Sequence, residues 1–412
     1  MSLSEAVAET PAGWIPVAAA ALDMAEGAHS PPGVEIILLP LDGSPPLGLI
    51  GEGARVWRGL VGSAPVPPTR LAQDDLVVIH ELERMGLVVR GTSHPATVNV
   101  LNSPILSSPS HELVYGLVAF VARQSGIRYA FVKGPALYRQ GIRDHEHSGD
   151  VDVWCDPQRW DDLISALSAW GWRREPDPWR GTTVNHSATL VPEVWGCEID
   201  VHRRIPGMTL DDDAAFATLL SDVVTEVLAG VPVTLPAPSS HAVIAALHAA
   251  RPEVGRGPRS GDSIAAAADL LRRAPRTIDA VRRFGAAPAL RAELAMYAPH
   301  ERFAAADDEV PRDWAWRAAP TRAHAYLSAL RELPPLTRAR LLARLIWPRA
   351  DVAIESARRA GHSTDDVLDA RLHRLRRGVR AWLSSVRPHG RGRAGRAAGE
   401  RGGGTPLGGV EH

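Results

Sequence analysis

The sequence predicts an α+β protein with a small winged-helix-like unit, a central mixed α/β core and a helical C-terminal region. Three observations predict this. Short apolar runs bounded by turn residues, at 34–39, 47–50 and 129–132, have the length and composition of strands. Between them, apolar residues recur at helical spacing, as in Leu113, Val114, Leu117, Val118 and Val121. Beyond about residue 236 the chain is rich in Ala, Leu and Arg with helical periodicity.

In chain order, residues 1–30 are Ala-rich with little punctuation and read as a loosely held arm. Residues 31–92 form the first unit. The run Val34–Leu39, the turn Leu41-Asp42-Gly43-Ser44-Pro45-Pro46 and the run Leu47–Ile50 make a hairpin. Ala54, Trp57 and Leu60 share a helix face. Asp74 and Asp75 are expected to cap a second helix carrying Leu76, Ile79, Leu82 and Met85, which Gly86 ends before the strand Leu87–Arg90. Residues 93–110, rich in Ser, Thr, Pro and Asn, read as a linker.

The core is expected over 111–235. Ser110 caps a helix that Gly126 ends, and Tyr129–Val132 is a buried strand running into Lys133-Gly134. Pro135 suits the first turn of the next helix, where its missing N–H is not needed. Val151, Val153 and Cys155 alternate with Asp150, Asp152 and Trp154, so this strand has two distinct faces. Trp160, Leu163, Ile164, Leu167 and Trp170 line a helix that begins at Asp156-Pro157, and Trp195–Ile205 is a further strand. A helical region over 236–386 includes Ile264–Arg273, Arg322–Leu330 and Ala339–Ile346, and a Gly- and Arg-rich tail at 387–412 is expected to be disordered.

Composition narrows the function. A chain of 412 residues with 45% hydrophobic content can bury two or three cores. A formal net charge of -1 does not call for a membrane or nucleic-acid partner, although it does not exclude the latter. The only cysteines, Cys155 and Cys197, form no C-x-x-C pair, which argues against a zinc ribbon or a disulfide scaffold. No apolar run reaches the roughly 20 residues of a membrane span, and no basic segment precedes an apolar one at the N-terminus, so a cytoplasmic setting is expected.

The chemistry concentrates around one lysine. Lys133 is the only lysine in the chain; every other basic side chain except histidine is arginine. A compact ammonium beside a glycine turn suits a phosphate. Asp150 and Asp152, two apart on a strand, point to one face, where carboxylate oxygens can share a hard divalent ion with substrate phosphates. Glu198, Asp200 and His202 alternate on a later strand and could complete the cluster. Such crowding of like charge is unfavourable without a cation. His145-Glu146-His147 could suggest a separate metal site, but solvated loop histidines are the plainer reading.

These segments carry a resemblance. Phe131-Val132-Lys133-Gly134-Pro135-Ala136-Leu137, Ser148-Gly149-Asp150-Val151-Asp152-Val153-Trp154 and Glu198-Ile199-Asp200-Val201-His202-Arg203 resemble, in order, motifs of an uncharacterised nucleotidyltransferase family in the DNA polymerase β superfamily. The match spans about residues 111–275. It implies a polymerase-β-type core, catalysis by Asp150, Asp152 and Asp200, and binding of Mg2+ or Mn2+ by the same three residues. Nucleotide contacts would come from Lys133, Gly134, Arg143 and Gly149, with support from Glu198 and His202. The stretch from Arg143 to Asp150 is longer than the usual pattern.

Residues 33–90 resemble a PqqD-like, precursor-peptide recognition domain through the hairpin, Gly53-Ala54-Arg55-Val56-Trp57 and the ending Leu82-Glu83-Arg84-Met85-Gly86-Leu87-Val88. A DNA-reading winged helix competes. Its recognition helix should be basic, whereas 74–86 holds Asp74, Asp75, Glu81 and Glu83 against Arg84. Together the resemblances imply transfer of a nucleoside monophosphate from a metal-bound nucleoside triphosphate, with release of pyrophosphate. The setting would be maturation of a ribosomal peptide whose leader the N-terminal unit binds. The alternatives are a non-catalytic precursor-peptide delivery protein and an adenylyl-transferring toxin–antitoxin component.

Overall fold

A computed structural model describes residues 12–25, 33–62, 64–146, 149–182, 184–254, 259–303 and 310–386. The expected tail, 387–412, lies outside the described residues. The class is α+β, with strands at the N-terminal end, a mixed central sheet and a helical C-terminal region.

The N-terminal unit comprises β1 (Gly13–Pro16), β2 (Ala20–Asp23), β3 (Ile36–Leu39), β4 (Leu47–Leu49), α1 (Gly51–Leu60), α2 (Gln73–Arg84) and β5 (Val88–Gly91). Strands β2, β3 and β4 form an antiparallel sheet, and β1 pairs with β5. Trp14, Ile36, Leu38, Trp57, Ile79 and Leu82 fill its core. Trp57 Nε1 donates to Leu87 O at 3.0 Å, which satisfies the buried indole. Asp74 and Asp75 do not cap α2. Its N-cap is Ala72, and the aspartates occupy the first turn, where the helix dipole favours carboxylates.

Residues 13–24 are strands rather than a loose arm. Ala18, Ala19, Ala20 and Ala21 are all buried. Alanine has weak strand propensity, but its small side chain lets a helix press close: a Cβ on Gly116 would stand 2.8 Å from Ala20 Cβ. Nor do residues 93–110 hang free. Val98 N donates to Pro16 O at 3.0 Å, Asp23 N donates to Asn102 O at 2.9 Å, and Leu106 is buried.

The core continues with α3 (Pro109–Gln124), β6 (Tyr129–Phe131), α4 (Gly134–Arg139), β7 (Val151–Cys155), α5 (Trp160–Ser168), β8 (Trp172–Arg174), β9 (Ser187–Pro192) and β10 (Ile199–His202). Ser108, not Ser110, caps α3: its Oγ accepts from His111 N at 3.3 Å, because Pro109 suits the first helical position. The sheet order is β6-β7-β10-β9-β8, with β7 and β10 parallel and the other pairs antiparallel. Phe131, Val151, Val153, Ile199 and Val201 face α3 and α5. Ala130, Val132 and Trp154 belong instead to a second core, shared with the C-terminal helices. Both cysteines are free thiols.

Then come α6 (Asp212–Leu220), the hairpin β11 (Val223–Leu228) and β12 (Val231–Pro236), α7 (Pro238–Ala250), α8 (Gly261–Arg272), α9 (Thr277–Phe284) and α10 (Arg291–Tyr297). The remainder is α11 (Arg312–Ala315), α12 (Arg322–Arg331), α13 (Pro335–Ile346), α14 (Ala350–Arg359) and α15 (Val367–Val386). Val243, Ile244 and Leu247 of α7 pack against the second face of the sheet together with Trp154. Among the described residues no helix is long and apolar enough to cross a membrane.

Candidate metal centre

The parallel pairing of β7 and β10 places Asp200 directly opposite Asp152. Side chains of directly paired residues share a sheet face, so the two carboxylates project to the same side, and His202 follows Asp200 by one strand repeat. One ligand atom from each of Asp152, Asp200 and His202 lies within 4.8 Å of the others. Asp152 and His202 are buried and Asp200 is half-buried. His202 Nε2 donates to Asp152 Oδ1 at 2.7 Å, and its Nδ1 is buried without a hydrogen-bond partner. Thr189 of β9 donates through Oγ1 to Asp200 Oδ1 at 2.6 Å and fixes that carboxylate. Two carboxylates and an imidazole this close together are a donor set that suits a divalent cation, so this group could hold a metal ion. Among the described residues it is the one cluster of three or more His, Cys, Asp or Glu side chains able to do so.

The turn between β6 and α4 supplies the cationic side. Lys133 adopts φ 63, ψ -148, a region that non-glycine residues rarely occupy. Its amide donates to His241 Nε2 at 2.7 Å; His241 Nδ1 donates to Gln140 Oε1 at 2.7 Å, and Gln140 Nε2 donates to Pro236 O at 2.9 Å. This chain locks the turn to α7. Lys133 Nζ lies 2.5 Å from Asp152 Oδ1 and 3.5 Å from His248 Nδ1. Gly134 has φ 59, and a Cβ there would meet Tyr115 Oη at 2.5 Å. Glycine is therefore required twice over, by conformation and by space.

Electrostatics separate the carboxylates. Burial alone would raise the pKa of Asp152, but the His202 hydrogen bond and Lys133 hold it down at about 2. Asp150 is raised, first by burial and then by the charges of Asp152 and Asp200. Burial, assisted by the charge of Arg143, brings His241 down to about 3. Burial, Lys133 and Arg251 do the same to His248. Both rings are therefore neutral at pH 7.

The sequence-derived residues fall at different distances from this centre. Asp152, Asp200 and His202 converge, and Lys133 reaches them. Asp150 immediately precedes β7, close enough for its charge to be felt by its neighbours, yet it lies outside the three-residue group. Glu198 is exposed and also outside it. Gly149 is exposed. Arg143 is half-buried, and its charge is felt at His241 below the turn. Glu146 binds Ser107, accepting from its amide at 2.9 Å and its hydroxyl at 2.7 Å. His147 lies outside the described residues.

Sequence reasoning missed Thr189, His186, His241, His248 and Arg251. Strand β9 alternates only over Ser187-Ala188-Thr189-Leu190 with no acidic residue to mark it, and α7 is apolar almost all round. Nothing short of the tertiary fold singles out histidines within such segments.

No protein-family profile matches the chain, and no curated protein matches it. Six chains among solved structures match. One is a tRNA-processing enzyme in an apo form, 15% identical, with a TM-score of 0.22, covering 69% of this chain and 93% of that one. A superposition that poor says nothing about shared function.

Proposed function

We propose that the protein is a metal-dependent nucleotidyltransferase, which joins a nucleoside monophosphate to an acceptor and releases pyrophosphate. The observation that carries this reading is the direct pairing of Asp152 with Asp200, beside a strained Lys133-Gly134 turn. Asp152, Asp200 and His202 would hold Mg2+ or Mn2+; the imidazole suits Mn2+ better than Mg2+. When bound, the ion supplies charge neutralisation at the phosphates. Asp200, fixed by Thr189, would accept the proton of the attacking acceptor hydroxyl. The acceptor oxygen forms a bond to the α-phosphorus, the bond from that phosphorus to the bridging oxygen breaks, and the electron pair leaves with pyrophosphate. Gly134 keeps the turn free of a side chain, and Lys133 contributes a positive charge beside the phosphates. Arg143 and Gly149 would contact the nucleotide, and Asp150 would share the cation's charge.

For the acceptor we propose a ribosomal precursor peptide whose leader docks on the N-terminal unit. Two features support this. Among the described residues the outer edge of β4 pairs with no strand, and a peptide can extend a sheet there. Ile50 and Val77, beside that edge and on α2, are 62% and 61% exposed.

One observation favours a second, non-catalytic reading: the Lys133 ammonium already sits on Asp152, so the chain partly neutralises its own site. Purified protein incubated with each labelled triphosphate, Mn2+ or Mg2+, and candidate peptides or tRNA decides between them by mass shift. The expected result is a nucleotide-sized increment on one acceptor, abolished by D152N and by D200N. Retention of full transfer by either variant would remove the metal assignment. No transfer, with no heat of nucleotide binding in calorimetry, would leave a peptide-delivery protein.

A further inference from the structure

Beside the carboxylates, the fold gathers arginines that the sequence motifs do not include. Arg251 follows α7 and Arg317 follows α11, 66 residues later in the chain. Both line one cleft of about 540 Å³, together with His248, Glu253, Arg322 and Tyr326. A second cleft of about 280 Å³ shares Val254, Arg317 and Tyr326 with the first and reaches His186 and Thr189. The two clefts thus adjoin, and their walls include Thr189, the residue that holds Asp200, and His248, which touches Lys133.

The arginines are not consumed by local ion pairs. No carboxylate among the described residues lies within 4 Å of Arg251 or Arg317, whereas neighbouring Arg204 does reach Asp313, at 3.9 Å. Arg251 Nη1 donates to His186 Nε2 at 2.7 Å, and the His186 ring lies 6.1 Å from that of His202 in the metal-binding group. The Arg317 guanidinium stacks over Trp316, with 4.8 Å to the ring centroid. Burial lowers the pKa of both arginines, and the charge of Arg251 helps bring Arg317 down to about 10. Two guanidiniums held in one partly desolvated cleft, whose one lining carboxylate, Glu253, lies beyond 4 Å of either, favour an anion that joins them.

We propose that Arg251 and Arg317 form a polyphosphate subsite that receives the β- and γ-phosphates of the nucleotide and holds pyrophosphate after transfer. The identity of the ligand rests on the nucleotidyl-transfer reading; the anion subsite itself rests on the cleft. The helical C-terminal region then completes the catalytic pocket. Phosphate charge divides between the cation at Asp152 and Asp200 on one side and the guanidinium pair on the other.

The test uses the full chain with inorganic pyrophosphate as the probe, titrated calorimetrically in the presence of Mn2+. Wild type is compared with R251Q, R317Q and R349Q, the last being a surface control whose side chain is 82% exposed. Mn2+ binding is followed separately by paramagnetic resonance, and folding by circular dichroism. The expected result is a rise in the pyrophosphate Kd of at least about tenfold in R251Q and R317Q, the loss typical of a charge-assisted hydrogen bond, with R349Q and the Mn2+ affinity unchanged. Wild-type affinity in folded R317Q would overturn the proposal, as would displacement of pyrophosphate by sulfate at equal ionic strength. If R251Q fails to fold, R317Q and R317K decide, with R317K expected to recover part of the affinity. Arginine-dependent pyrophosphate binding without transfer from any triphosphate would retain the subsite and dismiss the transferase. Transfer by wild type with unaltered binding in both variants would do the reverse.

Discussion

Gly134 and Tyr115 form a pair that can be tested by swapping atoms. The Tyr115 hydroxyl is buried without a hydrogen-bond partner and occupies the space where a Gly134 side chain would go. G134A is expected to destabilise the fold by about 1–3 kcal/mol, from steric overlap and positive φ together. Y115F in the same chain should recover part of that loss, since it removes the overlapping oxygen; denaturant melts of the two single variants and the double variant measure the coupling. Glu112 is a second such point. Its Oε2 accepts from Ile105 N at 2.8 Å and Leu106 N at 2.9 Å, and its Oε1 accepts from Ala229 N at 2.9 Å. E112Q sets an amide donor against backbone donors and should cost about 1–3 kcal/mol. The depressed histidines give a pH dependence with a definite sign. Folded His241 and His248 take up protons only near pH 3, whereas in the unfolded chain they do so near the ordinary imidazole value of about 6.5. The unfolded state therefore binds more protons between those values, and stability falls as pH drops from about 6.5 toward 3. Thermal melts at pH 7 and pH 5 should show a lower midpoint at pH 5, and an unchanged midpoint would contradict the buried, neutral assignment.

Elements were legible to unequal degrees. Gly126 ends α3 and Gly171 follows α5, each with positive φ, and both stops were readable from glycine alone. The alternation in β7 was equally plain, yet all five of its residues are buried, because helices cover both faces of the sheet. Strand β2 was illegible, since an alanine run carries no apolar period, and β1 (Gly13–Pro16) is too short to show one. Long-range pairing makes them strands, β1 with β5 and β2 with β3, and α3 closes on β2 at Gly116. G116V is expected to lose about 1–3 kcal/mol by overpacking against Ala20 and Ala229, and G116A less. Equal stability of G116V and wild type in urea melts would show that the contact is loose. The candidate site divides in the same way. Asp152, Asp200 and His202 were readable as periodic acids and a histidine on strands, whereas Arg251 and Arg317 carry no periodic signature and stand in loops after helices.

For the whole molecule, the N-terminal unit and the core are joined rather than tethered. Ala21 N donates to Ala229 O at 2.9 Å, and the helix–strand contact at Gly116 lies across the same boundary. A cavity of about 690 Å³ remains between them, lined by Ala18–Ala21, residues 95–100 and the β11–β12 turn. Calorimetry should show the N-terminal unit and the core melting together in one transition, and two well-separated transitions would mean that the units are independent. The helical region bears on the sheet as directly. A Cβ on Gly207 would stand 2.3 Å from the Trp314 ring, so the chain after β10 and the helix carrying Trp314 are in intimate contact.

Local pattern alone settled the α+β class, the strand–Lys–Gly–helix turn and the identity of the acidic residues, because period, turn chemistry and charge are properties of neighbouring residues. Tertiary structure alone decided that β7 and β10 run parallel and in register, which is what brings Asp152 to Asp200. It also decided that histidines of α7 buttress the turn and that two distant arginines share a cleft with one of them, His248. Strand pairing and helix docking are set by which apolar faces can be buried together across the chain, and no single segment encodes that choice.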